Sequence, residues 1–573
     1  MRYQAKIKLI FAFQFRNYII FSLNKQVKKI LWVLVLIAAL SPIFDLHQVS
    51  ADIVGERHNF YVDEKYDAFG RTSISATLVA AGKNAYVYIE DLVIERYGGI
   101  NNPNLLSSVS KIVSEFDNVI YPTETQLWGS EPNPGIDKDP RLTILFQQLS
   151  PGTGGYTDIG NIYPDPNSNQ REMISIAADT LVSIAAARVY LTHELEHLIS
   201  ANQKILLLNV GENTWLDELR AQYSITAVGY NLPFVGSDLA ARERDFIKNP
   251  TDSLTEWRGT NIDYAPVTLF GLYLVEHYGQ AILQDTLHSA LPGIDSINAW
   301  LSDHGYSERF IDVFGNWAVA NYINQTSTDI RFGYTDLNLS DIRIAPTDVQ
   351  VLNYPDSTFS FFLKPWQAEW YKFVAPSSVP VGQNLRVSWN VPNISFIYID
   401  NSNNVQAVYN GQIIPTGVTS FMLIPFSHPA GSSDAQSEPS INVLLTLEYT
   451  TEPPVPAVIP DGSLIHRQGE QDIYVVEGKY KRYLSPGVIT LYGHLDSSKA
   501  IELKPERFDS YTSANYIRNV NDKKVYAIWP DGTKHWLNMS AQTFSETGRD
   551  WNAIFIINDA EFNFYKIGTD ITK

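Results

Sequence analysis

Residues 184–200 of this 573-residue chain read Ile-Ala-Ala-Ala-Arg-Val-Tyr-Leu-Thr-His-Glu-Leu-Glu-His-Leu-Ile-Ser. The small and apolar residues before Thr192 are typical of a helix that crosses the core of a domain, and we predict a helix over about 180–202. In such a helix His193 and His197, four residues apart, lie one above the other on the same face. Two imidazole nitrogens can therefore reach one metal ion, so the pattern predicts a metal site on this helix.

Glu194 follows the first of these histidines and lies one step around the helix from it. From there a carboxylate can contact a metal-bound water without being a ligand, which is the position that a general base requires. With 11 histidines in the chain, an H-E-x-x-H pattern arises by chance in about one of a hundred such chains. The pattern therefore predicts that Glu194 is the catalytic base of a zinc-dependent hydrolase.

The chain contains no cysteine. Disulfides, thiolate zinc sites, iron–sulfur clusters and cysteine nucleophiles are therefore excluded, and a transition metal must use histidine and carboxylate ligands. A catalytic zinc ion takes three protein ligands, so the two histidines need a third.

A second predicted helix begins shortly after the first. Residues 215–223 read Trp-Leu-Asp-Glu-Leu-Arg-Ala-Gln-Tyr, and Glu218 lies 21 residues beyond His197. H-E-x-x-H followed by W-L-[ND]-E at this distance resembles the gluzincin metallopeptidases, in particular the hyicolysin-like family. The resemblance implies that Glu218 is the third zinc ligand; the alternative is a solvated carboxylate on a helix. Residues 200–203 contain neither the glycine nor the histidine of the metzincin arrangement.

The chain departs from the gluzincin pattern on both sides of Glu218. Asp217 stands where the pattern has asparagine, and Leu219 stands where it usually has glycine. A carboxylate at position 217 can still orient a metal-bound histidine through its second ring nitrogen. Leu219 is expected to add bulk beside the metal cleft.

A hydrolase of this class also needs a group that stabilises the oxyanion formed when a carbonyl is attacked. Residues 264–279 resemble the downstream gluzincin helix that presents a catalytic tyrosine. The resemblance favours Tyr264 as this donor, with Tyr223 and His277 as alternatives. An ordinary packing role for each of the three is the competing interpretation.

Residues 1–51 are predicted to be a secretory signal peptide. The lysines within 25–29 precede an uncharged, largely apolar run of 15 residues at 30–44. Small residues typical of a signal-peptide cleavage site follow at 49–51. The apolar lead-in around Arg16 leaves a misassigned start codon or an uncleaved anchor as the alternatives. We therefore expect a secreted, extracellular protein, with association to the cell surface as an open alternative.

The whole chain carries a net charge of −19, and the basic N-terminal segment makes the remainder more negative still. Such an acidic surface argues against nucleic acid and anionic membranes as partners, since both require attraction to phosphate. Protein or peptide substrates are the expected partners.

The remaining chain is predicted to hold an α+β gluzincin-like catalytic domain followed by all-β accessory domains. In 52–345, the metallopeptidase domain, strand-like runs come first and helical patterns follow. In 346–452, short strand-like runs separated by turn residues predict a β-sandwich. Prolines at 453–460 predict a stiff linker.

Residues 461–573 contain a two-copy internal repeat. The segment around Tyr474 matches the segment around Tyr526, at an offset of 52 residues. We expect a tandem β-repeat module whose aromatic residues contact the cell envelope or a glycan.

Two local patterns within the first domain give further predictions. The helix that begins at Leu105 is expected to end at residues 118–122, where a proline follows. The stretch 152–169, rich in Gly, Pro, Asn and Asp, is expected to be an exposed loop.

Four aspartates offer oxygen ligands for a Ca²⁺ ion, namely Asp137, Asp139, Asp158 and Asp165. No complete twelve-residue calcium loop exists in the sequence, and plain turns are the favoured interpretation. Calcium therefore remains a weakly supported second cofactor beside one catalytic zinc ion.

The leading hypothesis is a secreted zinc endopeptidase that hydrolyses proteins by Glu-assisted attack of a zinc-bound water. A zinc aminopeptidase is one alternative, but no G-x-M-E-N-like segment that would hold a free substrate amine precedes the metal helix. A surface-binding or adhesive protein with an inactive peptidase-like domain is another. Decayed enzymes usually lose a ligand or the base, and this chain retains His193, Glu194, His197 and Glu218.

Overall fold

The first part of the chain is organised around a mixed β-sheet. The computed structural model describes residues 51–415, 419–429, 439–452, 459, 461–493, 495–520 and 522–572. The six strands of the sheet are β1 (Arg57–Tyr61), β2 (Ser73–Ala81), β3 (Ala85–Glu90), β4 (Leu142–Gln147), β5 (Gly155–Tyr156) and β6 (Met173–Ala177). They run in the order β1–β2–β3–β4–β6–β5, so the two-residue strand β5 forms one edge. The three strands β3, β4 and β6 are parallel, and the others pair antiparallel with their neighbours.

Both faces of the central strands are buried, which is why their sequences are continuously apolar. On one face Val87, Ile144 and Ile174 lie side by side in register and pack against the helices. On the other face Tyr88 and Leu145 belong to a smaller core closed by the outer strands. The sheet is therefore a rigid support for the helices on its first face.

Helices surround this sheet and continue after it. Those of the region up to residue 345 are α1 (Asp91–Arg96), α2 (Pro103–Glu115), α3 (Tyr121–Trp128), α4 (Ile184–Ser200), α5 (Thr214–Ala227), α6 (Asp238–Lys248), α7 (Tyr264–Tyr278), α8 (Ala281–Leu287), α9 (Gly293–Asp303) and α10 (Phe310–Ile323). The predicted α+β class is confirmed at this coarse level of mixed helices and sheets.

The prediction that the helix from Leu105 ends at residues 118–122 is wrong. α2 passes into a π-helical turn at Phe116–Ile120, and α3 begins directly after it. Pro122 lies in the first turn of α3. A backbone N–H at the start of a helix has no acceptor within that helix, so its absence in proline costs α3 no hydrogen bond. Phe116 is fully buried, so core packing carries the helix through this segment.

Two further sheets form a β-sandwich. The first has the order β13–β10–β15–β8 and the second the order β12–β11–β14–β9–β7. Their strands are β7 (Asp348–Val351), β8 (Asp356–Leu363), β9 (Tyr371–Val374), β10 (Asn384–Trp389), β11 (Ile394–Ile399), β12 (Val405–Val408), β13 (Gln412–Pro415), β14 (Ser420–Ser427) and β15 (Ile441–Thr450). Their inner faces enclose a core of aromatic and aliphatic side chains.

The outer face of the second sandwich sheet packs on the helices, with which it shares one hydrophobic core. The Trp370 indole N–H donates to the carbonyl of Ala318 on α10 at 3.1 Å, and the ammonium of Lys364 lies 2.6 Å from the carboxylate of Glu256. Gly315 of α10 lies against this sheet, where a β-carbon would come within 3.1 Å of Ile397. From Asp52 onward the chain therefore forms one compact unit.

The C-terminal residues form two five-stranded sheets with corresponding strand orders, β19–β16–β17–β18–β20 and β24–β21–β22–β23–β25. The first contains β16 (Leu464–Arg467), β17 (Ile473–Glu477), β18 (Tyr480–Leu484), β19 (Ile501–Leu503) and β20 (Thr512–Ser513), with helices α11 (Pro486–Ile489) and α12 (Pro505–Ser510). The second contains β21 (Tyr516–Asn519), β22 (Val525–Ile528), β23 (Thr533–Trp536), β24 (Ile554–Ile557) and β25 (Lys566–Ile567), with α13 (Ala541–Glu546) and α14 (Asp559–Phe564). A buried ion pair of 2.6 Å joins Arg482 of the first sheet to Glu561 of the second segment.

The predicted signal peptide lies outside the described residues, as does most of the predicted linker at 453–460. Across the part of the chain that the structure describes, no helix combines the length and the apolar character needed to cross a membrane.

Candidate metal centre

The candidate site lies on two crossing helices whose positions are fixed by burial. α4 begins at Ser183, whose hydroxyl accepts a hydrogen bond from the backbone N–H of Ala186 at 3.4 Å. Its second half is almost wholly buried, and His193 is only 6% exposed. α5 packs across it and carries Glu218 to the same point.

His193, His197 and Glu218 come together at this crossing. The two histidine Nε2 atoms lie 3.1 Å apart. Oε2 of Glu218 lies 3.2 Å from Nε2 of His193 and 3.6 Å from Nε2 of His197. Burial alone would raise the pKa of Glu218, but the two histidines hold it at about 2.

These separations are within about 0.2 Å of those that a zinc ion imposes. A tetrahedral zinc ion with bonds of about 2.0–2.2 Å holds its ligand atoms about 3.3–3.6 Å apart. Oε2 of Glu218 is buried and makes no hydrogen bond to any described residue, which is the condition of an atom whose partner is a cation. Glu196, His197 and Asp217 form a second group of possible metal ligands, and this group shares His197 with the first group.

The second ring nitrogen of each histidine also has a partner. Nδ1 of His197 lies 2.9 Å from Oδ2 of Asp217, and the hydroxyl of Ser200 donates to the other oxygen of that carboxylate. Nδ1 of His193 lies 3.4 Å from Nε2 of Gln222. The carboxylate of Asp217 accepts the Nδ1–H of His197 and so directs Nε2 of that ring toward Glu218, as metal ligation requires. An amide nitrogen cannot accept from Nδ1 of His193, so the Gln222 contact positions that ring without fixing its tautomer.

Asp217→Asn is expected to weaken zinc binding by about 10–100-fold, because the amide can no longer fix the orientation and basicity of His197 as a carboxylate does. Competition with a fluorescent zinc chelator measures this change. Asp303→Asn, an exposed aspartate at the end of α9, is the control and should leave the affinity unchanged. Equal affinities for both variants would contradict the role of Asp217.

Glu194 faces the same space from the next position on α4 and is 5% exposed. The hydroxyl of Thr157 donates to its carboxylate at 3.0 Å and to its backbone carbonyl at 2.9 Å. Burial raises the pKa of Glu194 above its ordinary value, which brings it nearer to the range where a base can both take up and release a proton.

The expectation that 152–169 is only an exposed loop is wrong in its first part. Gly155 and Tyr156 form β5, and a β-carbon at Gly155 would come within 2.8 Å of Cγ of Glu194. A side chain there would displace the candidate base, so glycine permits the sheet edge to approach it closely. The cluster of turn residues concealed this role because the contact is made with a distant helix.

Tyr264 lies beside the candidate metal ligands. Its ring centroid is 6.0 Å from that of His193, and the guanidinium of Arg242 lies 4.8 Å from its centre. The two alternatives lie among other partners. The hydroxyl of Tyr223 accepts a hydrogen bond from Gln280, and His277 contacts the carbonyl of Gly333.

Leu219 does not narrow the cleft, contrary to expectation. Its side chain is fully buried and packs against Gly271 of α7, where a β-carbon would come within 2.9 Å of it. The extra bulk at position 219 is thus accommodated by a glycine on the neighbouring helix.

A buried ionic network fixes the start of α5. Glu212 accepts from Arg220 at 2.9 Å and lies 3.2 Å from the ammonium of Lys204. Its other oxygen accepts from the backbone N–H groups of Asn213 and Gly293. Gly293 has φ of +52° and would clash with Asn213 if it carried a β-carbon. The network ties the helix that carries Glu218 to the start of α9.

The four aspartates considered for calcium have other roles. Asp139 pairs with Arg141 at 3.0 Å, and Asp137 accepts from the backbone N–H of Asp139. Asp158 accepts from the N–H of Gly160 in a 3₁₀ turn. Among the described residues, none of these four aspartates, Asp165 included, belongs to a group of ligands close enough to share an ion.

A second buried carboxyl group lies behind the site on α3. Glu124 is 0% exposed, and burial raises its pKa well above the ordinary value. Folding therefore favours the protonated form of Glu124, whereas the unfolded chain ionises it above about pH 4.3.

Glu124→Gln is consequently expected to gain stability over the wild type as the pH rises. Because the pKa of Glu124 is higher in the folded protein than in the unfolded chain, its stabilising contribution is complete at a pH below the unfolded pKa. As the pH rises, the free energy of unfolding of the wild type falls by up to about 1.4 kcal/mol per pH unit. Urea unfolding at pH 5 and pH 8 measures the difference. A difference that is the same at both pH values would contradict a raised pKa of Glu124 in the folded protein.

Comparisons with known proteins agree with a metalloprotease-like site. No family model matches the chain. The neutral metalloprotease ShpI of Staphylococcus hyicus is 32% identical over 168 residues, which cover 26% of this chain and 35% of that protein. The chain thus spans about a third of the length of this curated relative, and the similarity relates part of it to a metalloprotease.

The similarity of this chain to solved structures is weaker. The periplasmic lysozyme inhibitor PliG of Salmonella Typhimurium covers 18% of this chain at 10% identity, with a TM-score of 0.14. PliG of Aeromonas hydrophila also covers 18% of this chain at 10% identity, with a TM-score of 0.14, and is matched over 100% of its own length. TM-scores this low do not establish a shared fold.

Proposed function

We propose that this protein is a zinc-dependent endopeptidase of the gluzincin type, with His193, His197 and Glu218 as metal ligands. The observation that carries the proposal is the convergence of three ligand atoms, 3.1–3.6 Å apart, beside a buried glutamate that is not a ligand. The partial similarity to a neutral metalloprotease supports the same class.

The chemistry assigned to the chain's own residues follows from their positions. A zinc ion bound there would activate water and polarise a carbonyl as a Lewis acid. Glu194 takes a proton from the attacking water and delivers it to the departing amine nitrogen. The hydroxyl of Tyr264 donates to the oxygen on which negative charge develops. Thr157 holds the Glu194 carboxylate in place through the 3.0 Å hydrogen bond.

The edge of the sheet favours an extended peptide as the substrate. Among the described residues β5 pairs with β6 alone, so the other side of the edge offers backbone groups that an added strand can bind. Because Gly155 touches Glu194, a strand that pairs there brings its backbone carbonyls toward the candidate base. Extended binding of this kind needs no free amino terminus, which favours internal cleavage over an aminopeptidase.

We further propose the predicted organisation for the whole chain. It consists of a secretory signal at 1–51, a catalytic domain at 52–345, a β-sandwich at 346–452 and a tandem β-repeat module at 461–573. The alternative is an adhesive protein with an inactive peptidase-like domain. It is disfavoured by the complete set of ligands and base.

The experiment uses residues 52–573, expressed and loaded with zinc. We expect one zinc ion per chain, casein cleavage that o-phenanthroline abolishes and zinc restores, and internal peptide bonds as the cleaved bonds in mass spectrometry. Release of single N-terminal residues from aminoacyl-nitroanilides would favour the aminopeptidase. Zinc binding without any hydrolysis would favour the adhesive protein.

A further inference from the structure

The second C-terminal sheet carries a cavity that is unrelated to the metal centre. Its volume is about 240 Å³, and it is bounded by the start of β22, the end of β23 and α13. The lining includes Lys523, Lys524, Trp536, Phe544 and Trp551. This volume lies below the range of about 300–1,000 Å³ that holds drug-sized ligands, so it suits a single ring with its substituents.

The aromatic side chains form an apolar wall along one side of the cavity. Phe544 and Trp551 pack together with ring centroids 4.2 Å apart, and the Trp551 N–H donates to the hydroxyl of Ser545 at 3.1 Å. Trp536 and Trp551 are only partly buried. A sugar ring presents apolar C–H faces and polar edges, and its C–H face complements the electron-rich face of an indole.

Two lysines give this wall a positive rim in an otherwise acidic protein. The ammonium of Lys524 lies 4.4 Å from the centre of the Trp536 ring. Within the described residues neither Lys523 nor Lys524 pairs with a carboxylate, whereas the chain as a whole carries −19. A ligand that supplies one carboxylate therefore adds an ion pair that the protein itself does not make.

The first C-terminal sheet lacks this combination although its strands have the same order. Aligning Tyr474 with Tyr526 places Gln471 and Asp472 where the second sheet has the two lysines. The 3₁₀ turn that begins with Trp551 corresponds to the turn Ser497–Lys499, which begins with serine. The cavity is therefore a feature of the second copy rather than a consequence of the shared fold.

We propose that this cavity binds a sugar ring that carries a carboxylate, as a unit of an acidic polysaccharide. The ring stacks on the tryptophans while the lysines pair with the carboxylate. A nucleic acid also combines rings with negative charge, but it carries one charge per nucleotide, and a protein with a net charge of −19 repels such a chain. A single carboxylate per ring needs only the local pair of lysines.

Calorimetry on zinc-loaded residues 52–573 tests this site. The probes are a tetrasaccharide of alternating glucuronate and N-acetylglucosamine, the neutral tetramer of N-acetylglucosamine, and an eight-residue oligothymidylate. We expect the acidic tetrasaccharide to bind at least tenfold more tightly than the neutral tetramer, with the preference falling as salt increases. The double variant Lys523→Gln/Lys524→Gln should abolish this preference.

Trp551→Ala should weaken binding of both sugars by tenfold or more. The control is Trp529→Ala, which removes an exposed indole, 44% accessible, outside the cavity, and should leave binding unchanged. Because Trp551 also contacts Phe544, circular dichroism and casein cleavage check that the variant is folded. The lysine variants keep the packing between Phe544 and Trp551 and test the site independently.

Three results would overturn the proposal. They are no binding of the acidic tetrasaccharide, equal binding of the acidic and neutral sugars, and tighter binding of the oligothymidylate with loss in the lysine variant. None of them depends on hydrolysis, so the proposal fails or survives separately from the peptidase assignment.

Discussion

Glu194→Gln is expected to lower the turnover of casein by about 10²–10⁴-fold while the zinc content stays at the wild-type value. Glutamine has the same shape and can still accept the hydrogen bond from Thr157, so the pocket stays intact. The amide cannot take a proton from water, and the step that creates the nucleophile is lost. Initial rates on a fluorescent casein, with zinc measured by atomic absorption, give both quantities.

The matched control for this variant is Glu95→Gln, which makes the same chemical change at an exposed position on α1. It should retain full activity. Equal loss in both variants, or full activity of Glu194→Gln, would remove Glu194 from the role of base. Loss of zinc together with activity would assign it to the ligands instead.

Glu212→Ala is expected to lower the free energy of unfolding by about 3–5 kcal/mol, because it leaves two buried cations without their shared partner. Arg220 is fully buried and Lys204 is 1% exposed, so neither can recover hydration without local unfolding. The same change frees the N–H groups that Glu212 fixes at Asn213 and Gly293. Urea unfolding of the zinc-free and zinc-loaded proteins measures the loss.

Zinc affinity should fall with stability in Glu212→Ala, since the start of α5 sets the position of Glu218. Glu212→Gln keeps the oxygen that accepts the two backbone N–H groups and is expected to lose less stability than alanine. Glu64→Ala, at an exposed position before β2, is the neutral control. A Glu212→Ala protein as stable as this control would show that the buried charges of Arg220 and Lys204 do not depend on Glu212.

Much of the site could be predicted because its signals are local. His193 and His197 share a face through helical spacing, and the second helix brings a carboxylate at a distance typical of a known arrangement. Gln222 was missed, although it lies one turn beyond Glu218 on the same face of α5. Helical spacing could have identified it, because a long polar residue at that position can reach the first histidine.

The contacts that could not be predicted come from segments far apart in sequence. Thr157 reaches Glu194 across 37 residues, and its surroundings resemble a plain loop because turn residues and a two-residue strand have the same composition. Gly271 makes room for the side chain of Leu219 only because α5 and α7 cross at that point. The path of the chain through Pro122 was likewise decided by burial of Phe116, which a local helix-breaking rule does not consider.

The single core shared by the helices and the second sandwich sheet has a consequence for how this protein can change over time. A β-sandwich attached by a linker can be exchanged between genes as an independent cassette, whereas this one packs directly against α10. A gene truncated after residue 345 would encode a chain whose Gly315 face is open to water and prone to self-association. Recombination that preserves a folded protein must therefore carry the two regions together.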